Sequence, residues 1–290
     1  MISINTNNGG LFAAKAASQS QATIDSAMQR LSTGSRINNA KDDAAGQAIA
    51  TRLTAEIQGL EIASRNVADG QSLVDTAEGA LQETHTLLLR MREIGVQAAN
   101  GTLSTSDNQA LDAEFQQLVK EIDRIAQNTT WAGAALLNGD GGTVDTSETF
   151  SFQAGVGNNS GADVFSVTVK NADATTLDIF VANANVATDN DVNLLSQTSA
   201  GSAITAVDAA IATVSSERAN LGAVSNRMAS TMANLDQIRV NLTASKGRIA
   251  DADFAAETAN LAKGQILQQA ATAMLAQANA SKQNVLALVR

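Results

Sequence analysis

Leu53, Leu60, Val67, Val74, Leu81 and Leu88 recur at intervals of seven along the chain. Between them runs a second column of mostly small residues, Ala63, Gly70, Ala77, Thr84, Met91 and Ala98. Two such columns sustained over many turns predict a long helix packed side by side with another helix. A helix over 53–98 is about 69 Å long at 1.5 Å per residue. A compact sphere of 290 residues is only about 50 Å across, so a rod is expected rather than a globule. Leu111, Phe115, Leu118, Ile122 and Ile125 put a second helix after the GTLSTSD break, with Ser106 or Asp107 as its cap. A third stripe follows at Val207, Val214, Leu221, Met228, Leu235, Leu242 and Ile249, with Ile204, Ile211 and Met232 in the neighbouring column.

The middle of the chain differs in kind. Residues 138–202 are rich in Gly, Asn, Asp, Ser and Thr, the residues of turns. Phe150 and Phe152, then Phe165, Val167 and Val169, alternate with polar neighbours around AGVGNNSGAD, which predicts a β-hairpin. Residues 171–202 read as further loop, with a short strand at Thr176–Val181. The two termini form a third class. Leu11, Ile24, Met28 and Leu31 step along an amphipathic helix at one end. Phe254, Leu261, Leu267, Met274, Leu275, Leu288 and Val289 form narrow stripes among many alanines at the other.

Composition narrows the chemistry. The chain has no proline, the strongest helix breaker, and no cysteine, so disulfides, thiolate zinc sites and iron–sulfur clusters are excluded. His85 is the single histidine, too few for a histidine-rich metal site. Nineteen basic residues against 29 acidic give a net charge of −10, which argues against a nucleic-acid surface. The first basic residue is Lys15, and no cationic segment precedes an apolar one, so no cleaved secretory signal is indicated. No run approaches the roughly 18 apolar residues of a membrane span. On these grounds alone the chain reads as soluble and cytoplasmic, with neither catalytic nor cofactor chemistry.

Two long segments change that picture. RLSTGSRINNAKDDAAGQAIATRL, from Arg30 to Leu53, resembles the N-terminal signature of bacterial flagellins, and the stretch from Asp251 to Arg290 resembles their C-terminal signature. NTTWAGAALLNG at 128–139 and FSFQAG at 150–155 are similar to the family's turn after the second rod helix and to the start of its hairpin. Lys282 stands where the family commonly has proline, and Phe254 where many members have tyrosine.

The resemblance implies a mainly α fold: a terminal coiled-coil domain (D0) from residues 1–44 and 246–290, and a three-helix rod with a small β-hairpin (D1) from 45–175 and 203–245. Residues 176–202 become a variable connector with no substantial outer domain. It also implies polymerisation into an extracellular filament and export of the unfolded chain through the flagellar type III apparatus by an uncleaved signal. That replaces the cytoplasmic reading. Implied partners are other copies of the chain, hook–filament junction and cap proteins, an export chaperone and the vertebrate toll-like flagellin receptor. No cofactor is implied. The H-E-x-x-H motif of some members is absent, because His85 is followed by Thr86 and Leu87.

The resemblance also nominates residues. Leu11, Ile24, Met28, Leu31, Phe254, Leu261, Leu267, Met274, Leu275, Val285, Leu288 and Val289 are expected to pack the filament core. Lys41, Asp42 and Asp43 read either as a charged D0/D1 joint or as a solvated run opening a helix. Arg90, Glu93, Ile94 and Glu114 fall in the segment resembling the receptor epitope, with Leu118 where many recognised members have a basic residue. Ser and Thr at 143–166 and 196–205 are open to glycans. Competing functions are a hook–filament junction protein and a ligand-binding surface protein. Both chain ends are expected to be disordered in the monomer and to fold only on assembly.

Overall fold

The computed structural model describes residues 6–138, 148–157, 163–179 and 192–287. Contacts divide the chain into two compact units, Met1–Ile57 with Val240–Arg290, and Gln58–Arg239. The elements in order are α1 (Asn8–Thr33), α2 (Ala44–Ala98), α3 (Thr105–Asn128), β1 (Thr130–Trp131), β2 (Ala134–Ala135), β3 (Glu148–Gln153), β4 (Val164–Val169), α4 (Gln197–Ala250) and α5 (Phe254–Ala287).

In the first unit the two chain ends pair as antiparallel helices. Asn7 Nδ2 donates to the Ala278 carbonyl and to Asn279, Gln268 donates to Gln21 at 2.6 Å, and Arg30 donates to Glu257 at 2.9 Å. Small residues set the seam. Gly10, Ala13, Ser20 and Ala27 are buried on α1, Ala271 on α5, and a Cβ on Gly264 would lie 2.8 Å from Ile24. The Asn7 side chain caps α1 by accepting from Gly10 N–H, and Gly34 ends it in the left-handed region at φ +69°. Beyond that cap, Arg36 N–H donates to Ala250 and Ala252 N–H to Gly34, bridging Ser35 to Asp251. Asp253 then starts α5 by accepting from the amides of Ala255 and Ala256.

The second unit is built on α2. Both heptad columns turn inward as the spacing predicts: from Leu60 to Ala98 every member is buried. Helix α4 lies antiparallel to α2, tied by Arg92–Asp208 at 2.6 Å and Arg218–Glu78 at 2.7 Å. Val207, Val214, Leu221, Met228 and Leu235 are buried as expected. The neighbouring column is displaced by one residue. Ala203, Ala210 and Glu217 are buried, whereas Ile204, Ile211 and Met232 are half-buried. The small side chains of Ala203 and Ala210 admit the facing helix where isoleucine would hold it off. Helix α3 buries Phe115, Val119, Ile122 and Ala126, leaving Leu111, Leu118 and Ile125 half-exposed at the margins. Its cap is Ser104, not Ser106 or Asp107. Ser104 Oγ accepts from Asp107 N–H while the Asp107 carboxylate accepts from Ser104 N–H, a reciprocal box.

The predicted hairpin is present. β3 and β4 are antiparallel, with Phe150 opposite Val167 and Phe152 opposite Phe165. Phe165, Val167 and Val169 are buried, Phe152 meets Trp131 edge-on, and the Arg227 guanidinium lies 4.2 Å over the Phe165 ring. A smaller hairpin, β1–β2, turns through Ala132 (φ 50°) and Gly133 (φ 87°), the paired positive φ values of a primed turn. Two expectations are corrected. Residues 173–178 form a helical turn rather than a strand: Leu177 N–H donates to Asp173 and Ile179 N–H to Ala174, and Asp178 closes it at φ 56°. Phe180 and Val181 lie outside the described residues. Residues 197–202 are not loop but the first turns of α4, opened by Ser196 and Ser199, each of whose hydroxyls accepts the other's amide.

Candidate assembly and recognition surfaces

The α1–α5 pair buries its small residues and turns many large ones outward. Leu11 is 63% exposed, Phe12 75%, Phe254 68%, Ile266 66% and Met274 63%. Met28 and Leu267 are also exposed. Leu31, Leu261 and Leu275 are half-buried, and Ile24 alone of the nominated α1 residues is fully buried. Val285 belongs to α5, but its side chain, with Leu288 and Val289, lies outside the described residues. Phe12, Leu267 and Met274 line an open apolar groove of about 730 Å³ between the two helices, floored by Ala13, Gly264 and Ala271. Phe12 was not among the residues expected to pack the filament core although it lies beside Leu11. Its side chain is large and apolar but stands off the buried stripe of α1.

Lys41, Asp42 and Asp43 sit in the turn between α1 and α2, all three exposed. Asp42 accepts from the amides of Asn38 and Asn39. The Asn39 hydrogen bond above all holds its carboxyl below the usual range. Asp43 accepts from Gly46 N–H at 2.9 Å and so opens α2. Two of the three charges therefore fasten the turn itself.

The recognition candidates separate into two groups. Arg90 on α2 donates to Glu114 on α3 at 2.8 and 3.2 Å, and to Glu93 at 3.1 Å. The Glu114 bond, then that of Glu93, holds the guanidinium in its charged form above its ordinary value. All three side chains are exposed and form one charged cluster. Ile94 does not join them. It is 1% exposed, because its position falls on the apolar stripe facing the other helices, so its side chain cannot meet a partner on this surface. Of the Ser and Thr positions open to glycans, Ser151, Ser166 and Thr168 stand on the hairpin's exposed face, while 143–147 and 158–162 lie outside the described residues.

Among the described residues no group of three or more His, Cys, Asp or Glu side chains is placed to hold a metal ion. No described helix is long and apolar enough to cross a membrane.

Comparisons with known proteins match both helical ends of the chain to one family. The profile of the bacterial flagellin N-terminal helical region matches residues 4–141, and that of the C-terminal helical region matches residues 204–289. Flagellin of Halalkalibacterium halodurans is 45% identical over 264 residues, 91% of each chain. Flagellin of Bacillus subtilis is 41% identical over 305 aligned residues, covering 99% of each chain. A solved structure assigned to a flagellar hook-associated protein of Vibrio parahaemolyticus shares the fold, with a TM-score of 0.57 at 15% identity over 72% of this chain and all of that one. With both terminal regions matched and full-length relatives above 40% identity, the chain belongs to the bacterial flagellin family, whose members are structural proteins of the flagellar filament rather than enzymes.

Proposed function

We propose that this chain polymerises into the flagellar filament through its α1–α5 helix pair, with other copies of the chain covering the apolar side chains that pair leaves outside. The exposure of Leu11, Phe12, Met28, Phe254, Ile266, Leu267 and Met274 carries the reading. Phe12, Leu267 and Met274 line one apolar groove, and an exposed apolar patch of this kind marks an interaction site on a protein that works in water. Family membership names the occupant, since flagellins assemble with themselves. In this reading residues 1–44 and 246–290 form D0, residues 45–175 and 203–245 form D1, and 176–202 connect the two segments of D1. Cap and junction proteins would engage the same terminal helices at the filament's ends.

Export as an unfolded chain through the type III apparatus belongs to the same proposal. A chain without proline or cysteine threads and refolds without isomerisation or disulfide steps. An export chaperone would shield the apolar face of α5 until then. The exposed Arg90–Glu93–Glu114 cluster is the proposed contact for the toll-like flagellin receptor.

Electron microscopy of purified protein after addition of filament seeds tests the proposal. Long filaments extending from the seeds support it. Short caps that stop growing would assign the chain to the hook–filament junction instead.

A further inference from the structure

Methionine is distributed unevenly between the two units. Met91 and Met228 are fully buried in the helical unit and Met232 is half-buried. Met28 on α1 is 56% exposed and Met274 on α5 is 63% exposed. Met274 lines the apolar groove together with Phe12 and Leu267, and Met28 stands on the same helix pair outside that groove. Among the described residues the two exposed thioethers are thus carried by the pair of helices whose outer surface assembly would cover.

We propose that Met28 and Met274 are two oxidation sites that gate assembly, the oxidant being a peroxide. A sulfur lone pair attacks one oxygen of hydrogen peroxide, the S–O bond forms as the O–O bond breaks, and the departing hydroxide takes up the remaining proton as water. Sulfur loses two electrons and the peroxide gains them. The product is a sulfoxide, a strong hydrogen-bond acceptor in place of an apolar group. On the free chain water solvates it at no cost. Under a neighbouring subunit it would be buried without a donor, which disfavours the assembled state. The free chain is therefore sensitive to peroxide, and the filament, with both sulfurs covered, resists it. This inference rests on the assembly role proposed above.

The test treats the full-length free chain with hydrogen peroxide, maps sulfoxide by peptide mass spectrometry and measures elongation on untreated seeds. Met28 and Met274 are expected to oxidise roughly tenfold or more faster than Met91 and Met228, which react only after local opening. Treated chain is expected to lose elongation. The doubly substituted chain Met28→Leu, Met274→Leu keeps volume and hydrophobicity, and is expected to elongate equally well before and after treatment. Treated wild-type chain carrying both sulfoxides and elongating at its original rate would overturn the inference. So would loss of elongation in the treated Leu variant, or equal oxidation of the buried methionines. Untreated wild-type chain that fails to elongate would overturn the assembly reading itself, and this inference with it.

Discussion

Arg30 on α1 donates a 2.9 Å hydrogen bond to Glu257 on α5, joining the two ends of the chain across 227 residues of sequence. The Glu257 side chain is 10% exposed and that of Arg30 30%, so the pair is only partly solvated. Glu257 also accepts from Asn260 at 3.3 Å. Along a seam of small residues and Ile24, this ion pair helps fix the register together with the Gln268–Gln21 and Asn7–Ala278 hydrogen bonds.

Glu257→Ala therefore leaves a half-buried guanidinium without its partner. Loss of a charged hydrogen bond of this kind costs about 1–3 kcal/mol. Faster hydrogen exchange in α1 and α5, with the helical unit unchanged, is the expected result. Glu257→Gln, which still accepts from Arg30, should lie between the two.

Leu221 is 1% exposed on α4, within the buried heptad column between Val214 and Met228. Leu221→Asp places a carboxyl in that buried apolar column. Substitutions of that type cost about 4 kcal/mol or more, equivalent to a fall of roughly ten degrees in a unit of this size. Calorimetry of the monomer measures it.

Asp123 on α3 accepts from Ala174 N–H at 2.8 Å, anchoring the turn that follows β4. Burial first, and then the negative charge of Asp173, raises its carboxyl above the usual range. One oxygen of Asp173 is itself buried without a hydrogen-bond partner. A carboxyl raised in the folded state binds its proton more tightly there than when unfolded. Its favourable contribution is thus complete below the usual carboxylate range and is lost as pH rises through the elevated value. Asp123→Asn keeps an oxygen for Ala174 and removes the charge. It should raise the melting temperature at neutral pH, with the advantage vanishing in acid, as a melting series across pH would read.

Arg90→Ala breaks the bonds to Glu93 and Glu114 and removes the central charge of the proposed receptor contact. Activation of the toll-like flagellin receptor in reporter cells should weaken roughly tenfold or more if Arg90 is an interface anchor. The helical fold should persist, since all three side chains are exposed.

The helical unit was legible because its stripe is made of large apolar residues at a fixed period, and α2 obeys that period to its last turn. Where small or polar residues do the packing, the pattern misleads. Ala203, Ala210 and Glu217 form the second column of α4, yet isoleucines one residue away carry the stronger signal. Glu217 enters the buried stripe because its carboxylate accepts from Lys170 N–H at 3.3 Å, a partner supplied by the end of the hairpin. Turn chemistry was partly readable: Asp107 stood in the nominated segment, but the cap proved to be Ser104 with Asp107 as its counterpart. The terminal helices show the sharpest difference. Leu11 and Met28 mark an apolar face on α1, but the seam with α5 is drawn along Gly10, Ala13, Ser20, Ile24 and Ala27, only one of them a large residue. The sequence displays the larger residues while the monomer buries the smaller ones.

That inversion gives the most direct test of assembly through the terminal helices. Leu267 lies in the α1–α5 groove with its side chain half in solvent, where Lys can stand without disturbing the monomer. Seeded elongation of Leu267→Lys, followed by light scattering beside the wild-type chain at equal concentration, should be abolished, while the two monomers share the same melting curve. Filaments growing from the Lys variant at the wild-type rate would contradict the account.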